Sequence, residues 1–517
     1  MPRRFNIAGP NDPARHYTLP ALRRLPELRE LIEDQLYFVV HAPRQVGKTT
    51  ALLTLARELT EEGHYAAVLV SMETGAPVSH DLVRAEPVLL GSWRESAEAR
   101  LPPDLQPPPW PDVNPGNRIR AALRVWAEAS PRPLVIFLDE IDALSGEMLV
   151  SVLRQIRDGY VDRPEHFPQS MCLIGMRDVR DYRFDPTGEG RSHSSSPFNI
   201  KSESLILRDF TRDEIEELYA QHTADTGQVF LPEAVDRAFD LTRGQPWLVN
   251  ALGRQLVQVL VKDRGTPISA DHVDRAREIL VERQETHLDS LLERLKEERI
   301  RAIIEPMLAG TSPAELPRDD IRFAIDLGLV RMTETGGLDV ANPIYREVIA
   351  RELTYPVRAA LPSIQPAWLR KDGRLDADRL LDSFLAFWRQ HGEALLGAAP
   401  YHEIAPHLVL MAFLHRVANG GGRIDREYAI GRGRMDLCLR YGPDVLAFEI
   451  KVWRQDGDVD PLNEGLDQLD GYLAGLGLYT GWLLVFDRRP SSPPLAQRLS
   501  VSDSLTPAGR RVKVVRL

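Results

Sequence analysis

The chain has 517 residues, is 43% hydrophobic and 27% charged, and carries a formal net charge of −11. That length accommodates about three domains with sizeable cores, while the acidic balance excludes a molecule that is polybasic throughout; nucleic-acid contact would need a local patch. Two cysteines, Cys172 and Cys438, each in an apolar or alternating segment, exclude a disulfide scaffold or a cysteine metal cluster. No apolar run approaches the roughly 18 residues of a membrane span, and Pro2-Arg3-Arg4 leads into no signal-peptide core. A cytoplasmic location is therefore expected.

Residues 1–35 are polar, with weak helical character from Leu22 to Ile32. Leu36–Val40 is a short apolar run of the kind found in buried parallel strands. It leads into His41-Ala42-Pro43-Arg44-Gln45-Val46-Gly47-Lys48-Thr49-Thr50 and then Ala51–Leu59, which is apolar on one helical face. Strand, small-residue loop ending in Gly-Lys-Thr, and helix are the context of a phosphate-binding loop. Its backbone N–H groups and the helix N-terminus face phosphate oxygens, Lys48 reaches the β- and γ-phosphates, and the Thr49 hydroxyl ligates Mg²⁺. The first glycine of the pattern is replaced by Ala42.

A second strand is expected over Ala66–Met72. Residues 100–116 hold too many prolines for helix or central strand and are expected as a surface loop, ordered or mobile. Leu134–Leu138 is an apolar strand ending in Asp139-Glu140, which places two carboxylates at the sheet edge beside the loop. Asp139 is assigned to Mg²⁺, and Glu140 to orienting or deprotonating the attacking water. Ser170–Gly175 is a further strand, followed by Arg177. Residues 185–197 are rich in Gly and Ser.

Thr211-Arg212-Asp213-Glu214 has capping-box form and starts a helix through Tyr219. Helices are expected over Ala234–Thr242 and Leu248–Leu260, separated by Thr242-Arg243-Gly244-Gln245-Pro246-Trp247. Further helices follow over Arg283–Leu308 and Asp320–Leu327, with Thr311–Glu315 as a capped start. A hairpin of Leu329–Met332 and Leu338–Val340 closes them, which suggests a winged helix, a module that either binds DNA or serves as an interaction surface.

Residues from about Phe5 to Leu353 resemble a prokaryotic AAA-like ATPase family. The resemblance is carried by the Ala-Pro-Arg-Gln-x-Gly-Lys-Thr-Thr loop, Leu138–Asp142, Ser196–Ile200, Gly244–Asn250 and Ala341–Tyr345. It implies ATP rather than GTP as the nucleotide, and a segment Tyr17–Arg24 beside the base. It also implies a sensor role for Arg177, otherwise a surface arginine at a strand end. Gly244 and Pro246 match the Gly-x-Pro lid motif of the STAND and origin-recognition branches, which brings the lid onto the nucleotide, although an ordinary inter-helix turn reads the same. Arg177, Arg180 and Arg183 are candidates for a finger acting across a homo-oligomer.

Pro356–Lys371 is expected as a linker. Helices follow over Leu375–His391 and Glu403–Ala418, then a strand over Arg426–Leu439, a Tyr441–Asp444 turn and a strand over Val445–Trp453. Asp436 lies on the first strand, and Glu449 and Lys451 share a face of the second. Two carboxylates can bind Mg²⁺ through oxygen while Lys451 positions water or stabilises charge; a solvated ion-pair cluster is the competing reading. Only seven lysines occur, and only Lys451 has Glu two residues before it. Residues 375–490 resemble the PD-(D/E)XK nuclease superfamily, with Met435 in place of its proline. The resemblance implies that Glu403 is a further acid and Gln468 a helix-borne catalytic group, and it implies cleavage of DNA more than RNA. Arg426, Arg432, Arg434, Arg440 and Arg454 are candidate phosphate contacts, or serve solubility.

The expected architecture is thus α/β: an AAA+ P-loop core (1–205), a helical lid (206–285), a winged-helix-like domain (286–355), a linker (356–374) and a restriction-endonuclease-like α/β domain (375–517). An ATP-regulated, Mg²⁺-dependent DNA nuclease is the expected function, with a role in defence or on mobile elements by analogy. The alternative is a signalling or scaffold ATPase whose last domain only binds nucleic acid or a partner.

Overall fold

A computed structural model describes residues 3–178, 201–283, 286–308, 316–333, 336–360, 368–392, 405–418, 422–427, 436–453 and 456–517. The chain divides into two compact units. The first comprises Met1–His287, Arg322–Gly337 and Ala341–Ile344, and the second comprises Leu288–Ile321, Leu338–Val340 and Tyr345–Leu517. Residues 286–355 therefore fall in both units.

The first unit is built on β1 (Tyr37–His41), β2 (Ala66–Ser71), β3 (Leu134–Asp139), β4 (Ser170–Gly175) and β5 (Lys201–Ile206). They form a sheet in the order β2-β3-β4-β1-β5, parallel throughout. Strands buried on both faces need no polar alternation, which is why β1 to β4 read as largely apolar runs, whereas the edge strand β5 is mostly polar. Tyr37, Val39, Ile136, Leu138, Met171 and Leu173 pack on one side against α3 (Leu82–Arg100), α4 (Arg118–Ala129) and α5 (Gly146–Gly159). Phe38, Val40, Val135, Phe137, Cys172 and Ile174 pack on the other side against α1 (Leu28–Glu33) and α2 (Lys48–Glu61). From β1 the chain moves to β2 at one edge, and from β4 it moves to β5 at the other. The β1/β4 boundary is therefore where the winding reverses, the position at which open α/β sheets leave a crevice at their carboxyl ends.

Of the two expectations for the proline-rich stretch 100–116, the ordered one fits, and part of the stretch is buried. Leu105 is buried in the core, and its carbonyl accepts the Trp126 indole N–H at 3.0 Å. Trp110 donates to Leu90 O, and Arg94 donates to the Pro107 and Pro108 carbonyls while stacking on Trp110. Proline removes donors but keeps acceptors, and side chains of α3 and α4 use them.

Helices α6 (Arg212–Thr226), α7 (Pro232–Thr242), α8 (Pro246–Gln255) and α9 (Ala270–Arg283) follow the sheet. Thr211 and Glu214 form the expected capping box. The segment expected as one helix over Leu248–Leu260 changes to a π turn at Leu256–Leu260. The amino-terminal segment packs onto these helices through Phe5, which meets Tyr17, Tyr219 and Phe230. After α10 (Thr286–Arg294), α11 (Glu298–Leu308) and α12 (Arg318–Asp326) come two short strands, β6 (Val330–Met332) and β7 (Leu338–Val340). Helix α13 (Pro343–Ala360) runs through Pro356, where a linker was expected to begin.

The second unit contains α14 (Ala377–Phe387), α15 (Ala405–Ala418), β8 (Gly422–Glu427), β9 (Asp436–Tyr441), β10 (Asp444–Trp453), α16 (Leu462–Leu476), β11 (Thr480–Asp487), α17 (Leu495–Arg498), β12 (Ser500–Leu505) and β13 (Arg511–Arg516). Its six-stranded sheet runs β12-β13-β11-β10-β9-β8, with β10, β11 and β13 parallel and the outer pairs antiparallel. The single strand expected over Arg426–Leu439 is in fact two, β8 and β9, paired with each other. On one face Ala447, Leu483, Val485, Val512 and Val514 pack under α16. On the other, Phe486 meets Trp388, which follows α14. No helix among the described residues is long and apolar enough to cross a membrane.

Candidate functional site

The loop after β1 is shaped by two residues of positive φ, Gln45 at 60° and Gly47 at 98°. Gly47 caps α2. Left-handed residues inside such a loop turn successive N–H groups toward one centre, the geometry of an anion-binding nest at a helix N-terminus. Ala42 is buried, and its methyl group belongs to the α1/α2 core; the departure from glycine therefore fills core space instead of blocking the loop. Val46 is the loop's other apolar anchor, while Pro43 is half-buried and Arg44 and Gln45 are exposed. Lys48 Nζ donates to the Ala42 and Pro43 carbonyls at 2.7 and 2.8 Å. Burial lowers the Lys48 pKa, opposed by Asp142, Asp139 and Glu140. Thr50 Oγ1 accepts from the Asn11 amide.

Thr49 Oγ1 lies 2.7 Å from Asp139 Oδ2. Burial pushes the Asp139 carboxyl above its ordinary range, and the Thr49 hydroxyl and Glu140 amide pull it back. Glu140 has φ +58°, a sparsely populated conformation for a residue with a side chain. Its carboxyl is also raised, by burial first and then by Asp142 and Asp139. A hydroxyl and a carboxylate are oxygen donors of the kind Mg²⁺ takes, so the pair fits that ion.

These residues line a cleft of about 380 Å³ that also receives Asn6–Asn11, Tyr17–Leu19, Arg24, Glu73, Phe210, Leu218, Pro246, Trp247 and Asn250. Arg24, Asp142 and Asn250 belong to the stretches Tyr17–Arg24, Leu138–Asp142 and Gly244–Asn250 quoted from sequence, but none was given a role of its own there. Arg24 is buried, donates to the Val46 and Arg208 carbonyls, and stacks on Phe210; burial lowers its pKa to about 10. Gly244 has φ +83°, and a Cβ there would stand 1.9 Å from the Phe210 carbonyl oxygen. Gln245 caps α8 through Leu248 N, and Pro246 takes its first turn, so Gly244-Gln245-Pro246 is a built turn, of which Pro246 lines the cleft. Arg177 lies over the Phe323 ring, 4.6 Å from its centroid, and is not among the cleft-lining residues. Arg180, Arg183 and Ser196–Ile200 lie outside the described residues.

In the second unit, Glu449 and Lys451 are 1% and 3% exposed. Lys451 Nζ lies 3.1 Å from Glu449 Oε1 and 3.2 Å from Glu464 Oε1, and it also donates to Gln468 Oε1. Gln468 donates to Glu464 across one turn of α16. Gly465 lets the helix approach, since a Cβ there would stand 3.2 Å from Lys451 Cγ. Glu449 Oε1 is ion-paired with Lys451, whereas Oε2 is buried with no hydrogen-bond partner, so one oxygen of this carboxylate retains capacity for a cation. Asp436 opens β9, and the β9–β10 ladder runs to Leu437–Phe448, one rung before Asp436 and Glu449. Glu403, Arg432, Arg434 and Arg454 lie outside the described residues. Among the described residues no group of three His, Cys, Asp or Glu side chains could hold a metal ion. Glu464 was not foreseen; its spacing of four from Gln468 on an amphipathic helix was the available signal.

No protein-family model matches the chain, and no curated protein matches it. Solved structures do align with it. The Walker-type ATPase PABY2304 of Pyrococcus abyssi is 12% identical, with a TM-score of 0.46 over 67% of this chain and 99% of that one. The RuvB Holliday junction branch migration motor of Thermotoga maritima is 16% identical, with a TM-score of 0.35 over 63% and 92%. Cdc6p of Pyrobaculum aerophilum is 14% identical, with a TM-score of 0.35 over 65% and 95%.

Proposed function

We propose that the first unit binds and hydrolyses ATP. The observation that carries this is the 2.7 Å contact between Thr49 and Asp139 beside a left-handed loop that caps α2. Loop amides and Lys48 would hold the β- and γ-phosphates, and Thr49 and Asp139 would hold Mg²⁺. When bound, that ion neutralises charge on the phosphates. Glu140, with its raised pKa, orients the attacking water or accepts its proton. Pro246 lines the lid's side of the cleft, held there by the turn at Gly244. Arg177 serves as a sensor only if its stack on Phe323 gives way in the nucleotide-bound state.

The second unit is read as a Mg²⁺-dependent phosphodiesterase acting on DNA in preference to RNA, licensed by the nucleotide state or by homo-oligomerisation of the ATPase unit. Asp436 and Glu449, with Glu403 as the further acid that the resemblance implies, would hold the ion, which would lower the pKa of bound water. Lys451 and Gln468 hold the water or the developing charge. The buried Glu449 Oε2, which has no hydrogen-bond partner, supports this reading. One observation favours the alternative, a domain that only binds: Lys451 is already engaged by Glu449, Glu464 and Gln468. The stretch 286–355 is read as a winged helix that contacts DNA or a partner.

The purified chain with Mg²⁺ should hydrolyse ATP, and Lys48→Ala should abolish this. DNA should be cut by the wild-type chain and left intact by Asp436→Ala; continued cutting by that variant sinks the site assignment. If Lys48→Ala stops ATP hydrolysis but leaves DNA cutting and its nucleotide dependence untouched, the licensing idea is wrong.

A further inference from the structure

Away from the phosphate loop, the cleft is walled by Leu19, Phe210, Leu218, Pro246 and Trp247, apolar surfaces suited to the faces of a base. Almost every polar side chain at that end is committed. Asn6 donates to Gly9 O and Asn11 Oδ1 and accepts from the Ala8 amide. Tyr17 OH meets His222, Thr18 donates to Leu19 O, and the Trp247 indole donates to Ile7 O. Asn250, on α8, is the exception. Its Nδ2 donates to Pro246 O at 2.8 Å. A carbonyl can only accept, so that bond fixes which arm of the amide is the amine. The other arm, Oδ1, is a buried acceptor with no hydrogen-bond partner, on a residue 5% exposed. Among the cleft-lining residues described, no other side chain leaves a buried polar atom unpaired.

We propose that Asn250 Oδ1 reads the exocyclic amine of the base and so selects a 6-aminopurine nucleotide, adenine, over guanine. Adenine presents two N–H donors at position 6, whereas guanine presents an oxygen there, and two acceptors cannot share a hydrogen bond. A fixed, buried acceptor loses its partner with any base that lacks the donor, and this is how a polar site rejects a near-isostere. The proposal rests on the reading of the cleft as a nucleoside triphosphate site.

The test is calorimetric titration of the full chain, wild type and Asn250→Ala, with ATP, GTP and purine riboside triphosphate, which lacks the 6-amino group. Wild type should bind ATP about tenfold tighter than the other two, and Asn250→Ala should bind all three about equally. Equal wild-type affinity for ATP and purine riboside triphosphate overturns the proposal without recourse to any variant. So does a variant that weakens all three by the same factor, because Asn250 would then act only through its bond to Pro246. If wild type binds none of the three, the nucleotide reading of the cleft fails, and the base contact with it.

Discussion

Thr49 Oγ1 donates to Asp139 Oδ2 at 2.7 Å, although β4 stands between the two strands that deliver them. The contact can form because the loop after β1 and the end of β3 both open onto the same carboxyl edge. Removing the hydroxyl leaves a buried carboxylate without its partner and removes one of the two oxygen donors for Mg²⁺. Thr49→Ala should lower the ATPase kcat by about 10²–10³, while Thr49→Ser should restore most of it. Steady-state phosphate release for the two variants checks this, and equal activity of Thr49→Ala and wild type would show that the pair is only structural.

The turn at Gly244 ties the junction of α7 and α8 to the segment leaving the sheet. Phe210 N donates to Gly244 O at 2.9 Å, and a methyl group at Gly244 would strike Phe210 O. Gly244→Ala should therefore destabilise the first unit by about 2 kcal/mol or more, from left-handed strain plus displacement of the backbone. It should also weaken nucleotide binding, because Pro246, Trp247 and Asn250 follow directly. Thermal melts with and without ATP separate the two effects; an unchanged melting temperature would contradict the close approach.

His222 is buried, with Tyr17, Gln228, Thr226 and Arg264 around its ring. Burial lowers its pKa, Gln228 opposes that, and Arg264 adds to it. Protons therefore bind the unfolded chain more readily than the folded one below the ordinary value of about 6.5. The stabilisation from neutral His222 is complete above that value and is lost as pH falls toward the depressed folded-state pKa. Melting temperatures of wild type should fall across this window more steeply than those of His222→Gln; parallel curves would remove His222 as the cause.

Lys451 and Glu449 form an ion pair that is nearly solvent-free. Taking away one member strands the other charge, so Lys451→Met should cost about 3–5 kcal/mol of stability in the second unit. The double variant Glu449→Gln, Lys451→Met should regain most of it. Urea unfolding of the full chain measures both. A double variant that is stable yet inactive toward DNA separates chemistry from folding, and one that still cuts DNA would remove these residues from the site.

Legibility from sequence followed the range of the interaction. The phosphate loop, the strand ending in Asp139-Glu140 and the capping box at Thr211 depend on neighbours within a few residues, and local spacing was enough to find them. The proline-rich stretch 100–116 was legible as neither helix nor central strand, but its anchoring was not: Arg94 and Trp126 donate to its carbonyls and its own Trp110 donates to Leu90 O, contacts that spacing does not reveal. The division of Arg426–Leu439 into β8 and β9 was hidden for a related reason: β8, Gly-Arg-Ile-Asp-Arg-Glu, has a single apolar residue, and only its pairing with β9 marks it as a strand.

The sequence by itself determined the groups available: a Gly-Lys-Thr loop between strand and helix, carboxylates at a strand end, and a Glu-x-Lys strand followed by a helix bearing Gln468. Tertiary structure alone decided which groups meet. It placed β4 between β1 and β3, brought Arg24 under Val46, set Arg177 on Phe323, and left one amide oxygen of Asn250 without a partner beside the cleft. The reason is physical. Backbone propensity and periodicity act over a few residues, whereas desolvation and hydrogen-bond pairing depend on what the whole chain packs against each group.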